Sequence, residues 1–140
     1  MVACLPDLDL VLHLFAGPQH HRGPSHSFGL ALLCGLAVFA LASLKLARGP
    51  AARLALLACA AWASHVVLDW LGSDSRLPLG IMALWPASDA FYVAPFPLFM
   101  EVGRALSLAT LRHNIVAMAW EIVLLAPLLL WARRARHAAY

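Results

Sequence analysis

The stretch that decides the fold is Leu54-Ala-Leu-Leu-Ala-Cys-Ala-Ala-Trp-Ala-Ser-His-Val-Val-Leu-Asp-Trp-Leu71. As a helix rising about 1.5 Å per residue it is almost as long as a hydrocarbon layer of about 30 Å is thick. Its only strongly polar members, His65 and Asp69, are four residues apart near its end, so both project from one face, roughly 6 Å apart. An ionisable group in such a segment is costly and marks function. That spacing suits two ligands of one metal ion, although a polar pair bonded to another helix would produce the same pattern. Ala58, Ala60, Ala61, Ala63 and Ser64 are small enough to let a neighbouring backbone approach closely.

Outward from this segment the chain repeats the apolar theme. Residues 28–44 carry no charge and end at Lys45, Arg48, Gly49 and Pro50, and residues 115–131 are apolar apart from Glu121 and end at Arg133-Arg134-Arg136. Hydrophobic residues make up 63% of the 140 and charged residues 12%, against about 45–50% and about 25% in soluble domains. Lipid is the solvent that such a composition suits. The reading is therefore an all-α, multi-pass integral membrane bundle forming one domain over 1–140. It has three spanning helices, 28–44, 54–71 and 115–131. Residues 72–113, broken by Gly72, Pro78, Gly80, Pro86, Pro95 and Pro97 among aromatics, read as a re-entrant or interfacial segment with a short helix near 98–110.

The net charge of +3 does not indicate nucleic acid, because the basic residues flank apolar runs instead of forming a patch with aromatic groups. Lys45, Arg48 and Arg53 group with Arg133, Arg134 and Arg136, which places the 45–53 loop and the C-terminus in the cytoplasm. Cys4, Cys34 and Cys59 lack metal-finger spacing and read as small apolar fillers.

The polar residues then gather at one membrane face, the non-cytoplasmic one. Asp7 and Asp9 follow Pro6 in a turn, where both bind a cation or one orients a histidine. The run His20-His21-Arg22-Gly23-Pro24-Ser25-His26-Ser27 supplies imidazoles, a guanidinium with the planar fork that suits phosphate, and two hydroxyls, either of which can cap the next helix. Glu121 shares a helical stripe with Asn114 and reads as a metal ligand, a general base or a neutral buried carboxyl. Asp74, Asp89, Glu101 and His113 lie near the same mouth without decisive spacing, and His13 reads as structural. Together these residues offer the nitrogen and oxygen donors that one or two divalent ions require. Hydrolysis is the economical use of such a site.

Leu5-Pro6-Asp7-Leu8-Asp9, His21-Arg22-Gly23-Pro24-Ser25-His26-Ser27, His65-Val66-Val67-Leu68-Asp69, Gly80 and Leu84-Trp85-Pro86 resemble, in order and spacing, the YdjM-like family of bacterial inner-membrane metal-dependent hydrolases. The resemblance implies a multi-pass helical protein, distantly similar to zinc-dependent phospholipase C and P1-type nucleases. In it Asp7, Asp9, His21, His26, His65 and Asp69 hold a divalent metal, with zinc expected. Such members carry a further N-terminal helix with a histidine ahead of the Pro-Asp-Leu-Asp element, so a truncated start or a site short of one ligand is expected here. The expected function is hydrolysis of a phosphoester or lipid headgroup at the membrane surface, with Arg22 clamping the anionic group and Glu121 assisting. The alternative is a non-enzymatic membrane protein: an ion or proton transporter, or an inactive relative with a structural metal.

Overall fold

The computed structural model describes residues 2–11, 22–75 and 77–138, with side chains as far as residue 135. Three helices dominate: α1 (Phe28–Ser43), α2 (Arg48–Trp70) and α3 (Leu108–Ala138). Single 3-10 turns occupy Val2–Cys4, Pro6–Leu8 and Pro24–His26. Among the described residues there are no strands, only the isolated bridges Gly72 to Phe99 and Ile81 to Tyr92.

Local chemistry sets these boundaries. Ser27 caps α1: its hydroxyl accepts from the Leu30 N–H at 3.0 Å and donates to the Pro24 carbonyl at 2.6 Å. The turn at 44–46 then ends α1 after 16 residues, just before Lys45. α2 starts earlier than the apolar run that announces it, because Gly49 and Pro50 fall within its first turn, where proline's missing N–H has no helical partner to lose. Pro127 lies inside α3 without ending it.

These boundaries correct the expected membrane architecture. Two helices, α2 and α3, are long and apolar enough to cross a membrane, not three. At about 1.5 Å per residue, α1 reaches only about 24 Å. It is the shorter partner in a hairpin with α2. The helix expected near 98–110 also gives way to an irregular chain as far as residue 107, and α3 starts at Leu108.

Small residues make the hairpin close. Ala31 and Gly35 are buried on α1, and Ala51, Ala55, Ala58, Trp62 and Val66 are buried on α2 at intervals of three and four. Of the small residues expected in this seam, Ala58 is buried whereas Ala60 and Ser64 are exposed. A Cβ on Gly35 would stand 2.9 Å from the Cβ of Cys59, so the backbones meet there only because Gly35 lacks one. Cys34 and Cys59 are half-buried fillers, but Cys4 is exposed. The compact core is Ala31, Trp62, Val66, Ile81 and Ala83.

Leucines along all three helices remain exposed, Leu41 at 68%, Leu56 at 70% and Leu129 at 65% among them. An apolar belt of this extent is what a hydrocarbon solvent requires and what water would penalise. The 72–107 connection folds across the end of the hairpin that carries the polar residues. Its backbone is held there by the bonds Phe28 N–H to Ala83 O (3.0 Å) and Leu98 N–H to Leu71 O (2.8 Å).

Candidate metal centre

Trp62, His65, Val66 and Asp69 form one stripe at the end of α2, and the N-terminal turns dock against it. The indole N–H of Trp62 donates to the Ser25 carbonyl at 2.9 Å, which fixes the Pro24–His26 turn to the helix. His26 is thereby driven inward until its ring is fully buried. The Pro6–Leu8 turn brings Asp7 to the same point.

The result is a cluster of four donors, Asp7, His26, His65 and Asp69, whose candidate ligand atoms all lie within 4.8 Å of one another. The Nε2 atoms of His26 and His65 are 3.3 Å apart. His26 Nε2 is 3.1 Å from Asp69 Oδ2 and 3.7 Å from Asp7 Oδ1. His65 Nε2 is 3.4 Å from Asp7 Oδ1 and 3.7 Å from Asp69 Oδ2. Ligands about 2.0–2.1 Å from a tetrahedral zinc ion stand about 3.3–3.4 Å from each other, so these edges have the size that such an ion sets. Two nitrogens and two carboxylate oxygens are also the donor types that zinc-like cations take. The residues present therefore fit a divalent metal.

Asp9, expected as a ligand, occupies a different place. Its Oδ2 lies 3.1 Å from His26 Nδ1, on the opposite side of the ring from the four-donor cluster. It accepts from the Ser25 hydroxyl at 2.5 Å and from the Arg22 N–H at 3.1 Å. A carboxylate on Nδ1 fixes the ring tautomer that offers Nε2 to a metal. Arg22 adopts a left-handed backbone, with φ 64°, and so pays a conformational cost that its bonds to Asp9 and to the Met82 N–H sustain.

Burial alone would pull the pKa of His26 down. Its hydrogen bonds to Asp69 and Asp9, and the charges of those two carboxylates, outweigh burial and raise it to about 9 in the metal-free protein. That ring nitrogen must give up its proton before it can bind a cation.

Arg22 does not point an uncommitted fork at a substrate. Its Nη1 donates to Asp74 Oδ2 at 2.6 Å, and its Nε lies 4.0 Å from Asp69 Oδ2. Glu121 is half-buried in the wall of a cavity of about 510 Å³, which also exposes His65, Asp69, Arg22 and Arg104. His21 lies outside the described residues. His113 and Asn114, expected at the polar mouth, instead tie α3 to the connection: His113 Nε2 is 2.8 Å from the Glu101 carbonyl, and the Asn114 side chain exchanges two hydrogen bonds with the Gly103 backbone.

Ser25, Trp62 and Asp74 are additions to the expected set. Trp62 was recoverable from its place one turn before His65, and Ser25 from its place beside His26. Asp74 pairs with a residue 52 positions earlier, and no local spacing announces that.

A family model of the YdjM inner membrane protein matches residues 1–139, which is essentially the whole chain. The chain belongs to the YdjM inner membrane protein family. None of the curated proteins and none of the solved structures matches it. Within this YdjM chain the quoted turn and helix motifs meet at the four-donor cluster.

Proposed function

We propose that the protein is a membrane-bound, metal-dependent hydrolase that uses a zinc ion to cleave a phosphoester at the non-cytoplasmic membrane surface. One observation carries this reading: among four nitrogen and oxygen donors, five separations of 3.1–3.7 Å lie near the edge length of a tetrahedral metal site, and two of the donors, His65 and Asp69, also form the wall of an adjoining cavity. Four protein donors fill a tetrahedral shell, so a catalytic ion held here would take its water or substrate by expanding to five ligands, and the cavity gives access to it. Asp7 is 42% exposed, so the cluster is open along that edge as well.

In this reading Asp7, His26, His65 and Asp69 hold the metal, and Asp9 keeps the His26 ring in the binding tautomer. Bound zinc supplies Lewis acidity and a nucleophile at neutral pH. Arg22, steadied by Asp74, holds positive charge beside the cleaved group, and the Glu121 carboxylate accepts or returns a proton at the cavity wall. His65 lies about 8 Å before the end of α2 and Asp69 about 1.5 Å before it, so the reaction occurs at the headgroup level. The basic residues at 45–53 and 133–136 support a cytoplasmic location for the opposite end.

The test is metal analysis of the full chain purified in lipid nanodiscs, paired with hydrolysis of a chromogenic phosphodiester. The expected result is one zinc per chain and zinc-dependent cleavage, both lost in a His65→Ala, Asp69→Ala double variant. Retention of the metal by the double variant overturns the assignment. A metal-loaded protein inert toward phosphodiesters and phospholipids alike overturns the activity and leaves a structural or transport role.

A further inference from the structure

The four donors and Asp9 leave the far wall of the cavity unexplained, and that wall has two chemical characters. Arg104 lines it and, among the described residues, has no hydrogen bond or ion pair, whereas Arg22 is committed to Asp74 at 2.6 Å. Of the carboxylates in the lining, Asp69 is engaged with His26, Asp74 with Arg22 and Glu101 with the Ser75 hydroxyl, and Glu121 stands on the α3 side. Arg104 is thus the cation in the lining that is available to an incoming anion.

The other character is apolar. Leu68 of α2, Phe99 of the connection and Leu125 of α3 line the same space, with Leu125 one helical turn beyond Glu121. Both helices are the ones long and apolar enough to cross the membrane, so the apolar wall is continuous with surface that the bilayer covers. A volume of about 510 Å³ far exceeds the needs of a bare phosphate and falls in the range of about 300–1,000 Å³ that holds a drug-sized ligand. A small water-soluble phosphoester would leave Leu68, Phe99 and Leu125 facing water, whereas an acyl chain would cover them.

We propose that this cavity binds a single membrane lipid with a phosphate headgroup, the phosphate lying between the metal cluster and Arg104 and the chain running along Leu68, Phe99 and Leu125. Arg104 selects the headgroup and the apolar wall selects against soluble phosphoesters. This rests on the phosphoester reading above, but the binding step does not require the metal.

The test uses the metal-free full chain in nanodiscs and a photoreactive dodecyl phosphate bearing a diazirine in its chain, with adducts mapped by mass spectrometry. Adducts are expected at residues lining the cavity, to fall about tenfold in Arg104→Gln, and to be competed by dodecyl phosphate but not by inorganic phosphate. Leu125→Trp, which fills the apolar wall, is expected to lower them by a similar factor while leaving zinc content unchanged, so loss of binding is separated from loss of the metal site. Adducts spread along the apolar belt as they are for a dodecanol probe, or unchanged in both variants, overturn the proposal. Effective competition by inorganic phosphate overturns the lipid preference. If the wild-type chain binds no zinc, the metal reading fails while the cavity adducts still decide this one.

Discussion

The two long helices meet the same requirement in opposite ways. α2 buries a stripe of Ala51, Ala55, Ala58, Trp62 and Val66 against α1 and the N-terminal turns, and that packing delivers His65 and Asp69 to their partners. α3 buries almost nothing inside the protein. It is held to the connection through the side chains of His113, Asn114 and Trp120. In water an apolar helix must pack to be stable; in lipid it need not, because the tails are as apolar as leucine. Precision in this molecule therefore lies where helices and turns interlock, and α3 is positioned by hydrogen bonds. Substitutions in the two regions should separate accordingly.

The largest effect is expected at His26. Replacement by Ala removes a fully buried donor and leaves Asp9 and Asp69 facing an apolar gap. Zinc affinity should fall by more than the about 10–100-fold expected of an outer partner. Unfolding stability should fall by about 3–5 kcal/mol, the cost of breaking a buried ionic contact. Equilibrium zinc titration and thermal unfolding in nanodiscs measure the two, and a variant near wild type in both would remove the cluster from the centre of the fold.

Gly29→Ala comes next. A Cβ there would overlap the Trp85 carbonyl oxygen and stand 2.7 Å from Pro86 Cδ, so the connection must move off the first turn of α1. The overpacking should cost about 1–3 kcal/mol and loosen the Pro24–His26 turn with it, visible as faster hydrogen exchange around Ser27. Unaltered exchange would mean that the connection does not brace the cluster.

Asp9→Asn tests the distinction between holding the metal and orienting a ligand. As an outer partner its loss should weaken zinc about 10–100-fold without abolishing binding; complete loss would restore Asp9 to the ligand set. The proton makes the same point by another route. Zinc and a proton compete for His26, whose pKa is raised to about 9. Below that pH the apparent zinc affinity should drop about tenfold per unit from this group alone, and above it the dependence should flatten. Removing the Asp9 charge should move the flattening to lower pH, because one of the groups that stabilises the imidazolium is gone. A zinc titration curve repeated from pH 6 to 10 reads both.

How much of this the sequence discloses depends on the range of the interaction. His65 and Asp69 are legible because helical periodicity alone puts them on one face, and the proline- and glycine-bounded run that ends at Ser27 is legible as a turn followed by a cap. The difference between Asp7 and Asp9 is not legible. It depends on how the Pro6–Leu8 turn meets the His26 ring, a contact across seventeen or more residues. The uncharged 28–44 run looks like a span, and α1 fills all of it except Leu44, but 16 residues reach only about 24 Å of a hydrocarbon layer of about 30 Å. The segment near 98–110 has helix-forming residues in its second half, but bonds from Leu71 and Asn114 hold residues 98–103 outside any helix. Arg22 with Asp74 is the extreme case: the sequence marks Arg22 for an anion and Asp74 only as a neighbour of the mouth, and nothing local pairs them across 52 positions.

The smallest predicted effect tests the α3 side of the comparison. The Trp120 indole N–H donates to the Leu98 carbonyl at 2.8 Å. Trp120→Phe keeps an aromatic surface for the lipid and deletes the donor, at an expected cost of about 0.5–1.5 kcal/mol. Asn114→Ala, which loses two bonds to Gly103, should cost somewhat more. Neither should change zinc affinity, because none of Asp7, His26, His65 and Asp69 comes from α3. Both should change the cavity, since Glu121 and Leu125 reach it only if α3 stays docked. A spin-label pair placed on Leu68 and Leu125 of the variants should report a broader distance distribution at constant zinc content. If zinc affinity falls together with the docking, α3 is coupled to the cluster and the two helices are not independent.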